Sequence, residues 1–370
     1  MNIQHYVDVL NSTDIIPDSL FKTRHLKFFN GDEETFKSNY AAAIIGLPDL
    51  EEVDSYIAAS QVRQNLYALS VLSNSLSIID LGNLKPGSFN DNCNSLRDII
   101  SEIGRKTVIV LIGGPSSYSL GSLLAYEKSN VPVNMVCVNS TINKDRDLLG
   151  IRDVNPNKGN SYFNFINIGY QSYYVEKETL DFIEDSSFEA YRLGLVRGNL
   201  NEMEPVMRDA NIVNFSLNAV KHSDAPGASN SSPNGLSGDE ACQLAFFAGH
   251  SNRISSFGVF DLFPVNDIHH TTAKLTSHII WYFLEGLSNA IFEEPDITPE
   301  HFTKYMIHLN QSDQNIAFYK SNLTNRWWME ISFEKNNYNI ILSCSETDYE
   351  LSCKQEIPDR WWRTFQRISG

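Results

Sequence analysis

TVIVLIGG, from Thr107 to Gly114, decides the fold. Five apolar residues, Val108 to Ile112, run without interruption and stop at two glycines. That is how a strand covered on both faces reads, and it is too short for a buried helix. The same signature recurs on either side, in AAAIIGLP (Ala41–Pro48), SIIDLGN (Ser77–Asn83) and VNMVCVNS (Val133–Ser140). It returns at Phe163–Gly169, at Asn211–Leu217 and in ISSFGVFDLFP (Ile254–Pro264). Between these runs the period changes. Asp54 to Leu72 places Val62, Leu66, Tyr67 and Val71 at helical spacing. Ser95–Ile103, Leu120–Lys128, Leu180–Arg197, Asn201–Met207 and Thr272–Ala290 also have helical character. Short apolar strands alternating with helices predict a mostly parallel sheet with helices on both faces, a three-layer α/β/α domain. Ser223 to Gly238, rich in Ser, Asn, Pro and Gly, is expected to be a long irregular loop, and such loops are often functional.

The pattern shifts near residue 300. AFYKS (Ala317–Ser321), RWWMEISFE (Arg326–Glu334) and YNIILSC (Tyr338–Cys344) have strand-like patterning, and TDYELSCKQEIPDRWW (Thr347–Trp362) reads as helical. The expected organisation is a main α/β domain over 1–300 and a small β-rich extension over 301–370, packed on it because its tryptophans need burial. Alternation within Trp327-Trp328 and Trp361-Trp362 predicts one buried ring and one exposed ring per pair. The exposed rings are candidates for a partner surface.

Composition narrows the function. Acidic residues outnumber basic ones 45 to 29, for a formal charge of −16. With no local basic patch, such a chain repels phosphate backbones and anionic lipid, so neither nucleic acid nor a membrane is expected as a partner. The opening MNIQHYVDVLNS lacks the basic and apolar regions of a signal peptide, and the apolar run Ile279–Phe283 is far too short to span a bilayer. The five cysteines lack metal-type spacing, and Cys137 and Cys242 are expected to be buried free thiols. The expected location is the cytoplasm.

Chemistry-bearing positions fall at the strand ends. After Thr107–Gly114 comes Gly113-Gly114-Pro115-Ser116-Ser117, and the next strand ends in Asn139, Thr141 and Asn143. SLNAV supplies Ser216, Asn218 and Val220, and the late strand ends at Asp261. Taken in order, across roughly Ala41 to Asn289, these segments resemble the ureohydrolases, the superfamily of arginase, agmatinase and formiminoglutamase. Members have Gly-Gly-x-His-Ser, Asp-x-His-x-Asp and Ser-x-Asp-x-Asp at those places, and a late-strand Glu where Asp261 stands. IIGLPD and SDAPGASNSSPNGLSGDEA fit the same pattern. DLGN, FNFINIGYQSYYV, AYRLGLVR, EPVMRDA and RWWME look like a bacterial branch labelled formimidoylglutamase.

The resemblance implies two manganese ions that turn a bridging water into hydroxide for attack on a guanidinium or formimino carbon. Two adjacent dications need anionic ligands, and the family supplies four carboxylates and two imidazoles. Here the six positions are Ser116, Asn139, Thr141, Asn143, Asn218 and Val220, none of them anionic. Each missing charge is worth on the order of several kcal/mol at contact range. The expectation is no metal, no other cofactor and no catalytic residue, with the neutral side chains forming a polar network. Ser116-Ser117 lacks the spacing of a nucleophile elbow. Asp267, His269 and His270 read as a helix-capping loop rather than a metal site, and His222, Asp224 and Asp239 as residues near the mouth of the old site. The function expected is a non-catalytic protein-interaction, scaffold or regulatory subunit with a protein partner. The alternatives are a manganese-dependent formimidoylglutamase or amidinohydrolase with an atypical site, and a small-molecule sensor using the vestigial pocket. Family members resemble dimers, trimers or hexamers, so homo-oligomerisation stays open.

Overall fold

The computed structural model describes residues 3–10, 26–32, 39–49, 55–70, 72, 74, 76–103, 106–127, 133–142, 163–310, 314–333 and 338–369. The apolar runs are strands. In chain order they are β1 (Val7–Asp8), β2 (Leu26–Phe28), β3 (Ala42–Gly46), β4 (Ile78–Leu84), β5 (Val108–Ile112), β6 (Val133–Val138), β7 (Phe163–Tyr170), β8 (Glu189–Arg192), β9 (Ile212–Ser216) and β10 (Ser256–Phe260). They form one sheet in the order β1-β4-β3-β5-β10-β9-β6-β7-β8, with β2 also paired to β4. All the pairings are parallel except β1 with β4.

Helices cover both faces, as the uninterrupted apolar strands require. One face carries α1 (Ile57–Tyr67), α5 (Leu193–Gly198), α6 (Met203–Arg208), α7 (Gly238–Gly249) and α8 (Thr271–Ser288). The other carries α2 (Phe89–Ile103), α3 (Ser119–Leu124) and α4 (Lys177–Asp185). Within β5 the division is residue by residue: Val108, Val110 and Ile112 face the first layer, and Ile109 and Leu111 the second. The capping box of Ser237 and Glu240 opens α7, so the loop after β9 ends where the sequence placed it. Among the described residues, no helix is long and apolar enough to cross a membrane.

Two expectations need correction. Leu180 to Arg197 is not helical throughout, because α4 stops at Asp185, Ser187 takes a left-handed φ of 54°, and β8 follows. Four residues are too few to show a period of two, and pairing with β7 rather than local pattern makes them a strand. The extension also holds one strand, ahead of Ala317, that the strand reading left out. It is an antiparallel sheet of β11 (Phe302–Leu309), β12 (Gln314–Ser321), β13 (Trp327–Phe333) and β14 (Tyr338–Cys344), followed by α9 (Glu346–Cys353) and α10 (Asp359–Ser369). The edge strand β11 is largely exposed, which hid it from an apolar reading.

Trp327 and Trp328 are both 5 % exposed, against the expectation of one buried ring. Strand alternation does send them to opposite faces, but both faces are covered. Trp327 stacks on Tyr349 of α9, while Trp328 lies under the Arg208 guanidinium of α6, 4.1 Å from the ring centroid. The second pair behaves as expected: Trp361 is buried and Trp362 is 42 % exposed.

A buried charge cluster ties the extension to the main domain. The Arg360 guanidinium of α10 reaches Glu189 at 3.1 Å, Asp209 at 3.3 Å and the Ser343 carbonyl at 2.7 Å. Asp209 in turn accepts from Ser343 Oγ at 2.6 Å, and Glu189 from Tyr191 at 2.6 Å and Asn164 at 3.1 Å. Burial works against the charge on Arg360, but Glu189, Tyr191 and Asp209 outweigh it and hold the guanidinium above its ordinary range. Arg360→Met would strand both carboxylates, so we expect a loss on the order of 3–5 kcal/mol in chemical denaturation.

His250, which caps α7 near Arg326, Glu204 and Arg208, is depressed from 6.5 to about 4, first by burial and then by Arg326. The folded state therefore binds that proton less readily than the unfolded chain does. Stability is expected to fall as pH drops from 6.5 towards 4, and His250→Phe should lose less over that window, measured by denaturation at each pH.

Candidate functional site

Strands β5, β10, β9 and β6 lie side by side, so their C-terminal ends form one rim, the usual ligand position on such a sheet. Gly113 and Gly114 leave β5 with φ of 83° and 67°, a turn that side chains with a Cβ resist, and deliver Ser116 to the start of a short 3₁₀ turn. At the end of β10, Asp261 also adopts a left-handed φ, of 68°. Four hydrogen bonds hold it there. Its N–H donates to the Gly114 carbonyl at 2.9 Å, and its carbonyl accepts from Ser229 N–H at 2.8 Å. Its Oδ1 accepts from Ser116 N–H at 3.0 Å and its Oδ2 from Ser216 Oγ at 2.5 Å.

The remaining positions are satisfied locally. Asn218 Oδ1 accepts from Asn230 N–H at 2.7 Å, and its Nδ2 donates to Ser229 Oγ at 3.2 Å, so this amide secures the loop after β9. Ser216 Oγ accepts from Asn218 N–H at 3.2 Å, an N-terminal cap on the turn that follows. Asn139 is buried and accepts a long 3.5 Å bond from Thr141 N–H. Val220 is wholly buried in the core beneath α7. Asn143 lies outside the described residues. The expected polar network is thus not continuous among the described residues: Asp261 links β5, β9 and β10, Asn218 serves the loop, and Asn139 stands apart with Thr141.

Three further polar residues were missed. Asn167, Cys137 and Asn214 are direct cross-strand partners on β7, β6 and β9. Asn214 Nδ2 donates to Cys137 Sγ at 3.7 Å, and Asn167 Oδ1 has no partner among the described residues. Cys137 is half-buried rather than buried: it packs against the apolar cluster that holds Met135 and Phe165, with the Asn214 amide beside it. The signal was present as polar letters at inward positions of otherwise apolar strands.

The capping reading of the Asp267 segment holds. Its carboxylate accepts from Thr272 and Ala273 N–H at 2.9 and 2.8 Å at the start of α8, while His269 and His270 are exposed. Near the mouth, His222 Nδ1 pairs with Ser231 Oγ at 2.6 Å and Asp239 is exposed. Asp224 accepts from Gly238 N–H at 2.9 Å; burial pushes its carboxyl up, but this bond, Ser223 and Lys221 bring it below the usual range.

A mostly parallel α/β/α sheet with this strand order is the arginase-like, or ureohydrolase, fold. The solved structures similar to it bear that out. Formiminoglutamase of Trypanosoma cruzi with Mn2+ superposes with a TM-score of 0.61 at 17% identity, over 74% of this chain and 98% of that one. Formimidoylglutamase of Bacillus subtilis gives 0.62 at 15%, over 76% and 97%. Proclavaminate amidino hydrolase of Streptomyces clavuligerus gives 0.56 at 16%, over 68% and 93%. No protein-family profile and no curated protein sequence matches the chain.

The described residues of the rim do not fit a manganese pair. Val220 offers only hydrocarbon, Asn218 spends its Oδ1 on Asn230 N–H, and both Asp261 oxygens are taken by protein donors. Among the described residues, no group of three or more His, Cys, Asp or Glu is placed to hold a metal ion. Neutral amides and hydroxyls can hold shape but cannot offset two adjacent dications. Asp261→Asn keeps the size and tolerates the left-handed backbone, yet sets an N–H against a donor. We expect a loss of about 1–3 kcal/mol in urea unfolding.

Proposed function

We propose that this chain is a catalytically inactive protein on a ureohydrolase fold, serving as a protein-interaction, scaffold or regulatory subunit in the cytoplasm. The observation that supports it is the donor set at the rim, where Ser116, Asn139, Thr141, Asn218 and Val220 bring no negative charge and the Asp261 carboxylate is engaged in bracing three strands. The chemistry of the fold depends on hydroxide generated between two metals, and among the described residues no nucleophile with its base stands at this rim in place of that centre. A scaffold needs only the fold, which Asp261 and the Arg360 cluster maintain. The net charge of −16 argues against nucleic acid and favours a protein partner. The exposed Tyr173 and Tyr174 beside the loop after β9, and Trp362 on the extension, are the contact regions we favour.

The second reading is a manganese-dependent formimidoylglutamase or amidinohydrolase with an atypical site, favoured by the superposition on the trypanosomal enzyme that holds Mn2+. A third is a sensor that uses the vestigial pocket. Elemental analysis of protein purified in excess manganese, run beside assays for urea and formamide release, separates the first two. We expect far less than one manganese per chain and no product. Stoichiometric manganese with turnover would overturn the proposal. A thermal shift with guanidino or formimino compounds would move the balance to the sensor.

A further inference from the structure

The four-stranded sheet of the extension ends on one side in β11, which no described strand pairs from outside. The ladder between β11 and β12 is regular along its whole length, from Phe302 opposite Ser321 to Leu309 opposite Gln314. Just before it, the His301 carbonyl accepts from Asn322 N–H at 2.8 Å. Alternation in an antiparallel ladder then turns the backbone of Thr303, Tyr305, Ile307 and Leu309 towards β12. The N–H and C=O groups of Phe302, Lys304, Met306 and His308 point out of the sheet. One end of this row is closed, because Gln355 donates from Nε2 to the His308 carbonyl at 3.1 Å and accepts from Asn310 N–H at 2.8 Å. The 3₁₀ turn Pro299–His301 bounds the other end. Between them, the backbone groups of Phe302, Lys304 and Met306 make no hydrogen bond with any described residue.

Native sheets guard such an edge with proline, a bulge, a covering segment or charge. From Phe302 to Met306 there is no proline, the pairing with β12 has no bulge, and the only charge is Lys304. Its amine leans back over its own sheet, 3.6 Å from Glu330 and 5.0 Å from the centroid of the Tyr319 ring. That charge serves the face of the sheet and leaves the edge open. Met306, 57 % exposed, adds apolar surface beside the open groups.

A second copy of the same edge completes the row. With the two strands antiparallel about a twofold axis at Lys304, Phe302 of each copy falls opposite Met306 of the other, and Lys304 opposite Lys304. Each of these pairs exchanges both of its backbone bonds, so every open group is matched. Met306 also gains an aromatic neighbour in Phe302. The facing lysines oppose the pairing, but each keeps its own Glu330 as counter-ion. In a chain of net charge −16, β11 itself carries no Asp or Glu, so no carboxylates oppose one another along the new ladder. A free peptide would lose its own chain entropy to fill so short a row, whereas a second β11 is already held straight by β12.

We propose that this edge joins two copies of the chain in a weak antiparallel dimer, with the two four-stranded sheets continuing as one. The contact is short, so association is concentration-dependent. It involves neither the rim nor Tyr173, Tyr174 and Trp362, and it stands or falls separately from the function proposed above.

Sedimentation velocity and light scattering of the full chain, from low to high micromolar concentration, test the proposal. The mass should rise from monomer towards dimer. Met306→Pro removes an N–H that points away from β12, so circular dichroism should show an intact fold while dimerisation weakens about tenfold or more. Lys304→Cys, made with Cys353→Ser so that the exposed native thiol does not compete, places two thiols at the axis. Cα atoms of such a pair lie about 5.5 Å apart, within disulfide range, so oxidised glutathione should yield a covalent dimer. A chain that stays monomeric throughout would overturn the proposal and leave the edge to an extended strand of another protein. So would a dimer whose affinity is unchanged in folded Met306→Pro, or one that Lys304→Cys does not cross-link.

Discussion

The C-terminal ends of β5, β9 and β10 meet at one carboxyl group. Asp261 takes the Ser116 N–H on one oxygen and the Ser216 hydroxyl on the other, while its own backbone is bonded to Gly114 and Ser229. Its left-handed φ costs on the order of 1–2 kcal/mol for an ordinary L-residue, less for Asp, and persists because four hydrogen bonds determine it. The turn at Gly113-Gly114, the start of α3 and the path of the loop after β9 all follow from that arrangement. In the ureohydrolase pattern the corresponding rim is organised around ions. Here hydrogen bonds from neutral donors to a single carboxyl group hold the strand ends at their spacing.

A second brace acts at the far edge of the sheet. Strand β8 would otherwise end the sheet with a row of open backbone groups, a liability for aggregation. The C-terminal helix α10 lies against it, with Arg360 on Glu189, Arg363 on the Phe188 carbonyl and Arg367 on the Ser187 carbonyl. Buried ion pairs seldom add much net stability, because desolvation consumes most of the attraction. Their consequence is specificity: Asp209 holds Ser343 and Arg360 together, so a shift of the four-stranded sheet would leave these buried charges unpaired. The Arg208 guanidinium over the Trp328 ring adds a cation–π contact across the same junction.

The fold and the chemistry therefore separate cleanly in this chain. Packing of α7 and α8 against the sheet, the cap at Asp267 and the buried Arg63–Asp80 pair do not involve the strand-end side chains of the rim. Architecture can persist while the identity of a few rim residues decides what reaction, if any, is available.

Much of this was legible in the letters alone. Apolar runs of five or six residues bounded by turn residues read as buried strands, and the uncharged identities of Ser116, Asn139, Thr141, Asn143, Asn218 and Val220 state what charge those positions can offer. Both follow from local pattern and residue chemistry, which need no knowledge of neighbours. Tertiary structure alone decided the rest. It made a strand of Glu189–Arg192, buried both Trp327 and Trp328, broke the expected polar network into separate groups, and set Asp261 between Ser116 and Ser216 across 145 and 45 residues of chain. Each of those outcomes depends on a partner far away in sequence, and a pairing of that kind is set by how the layers close, not by the pattern within either segment.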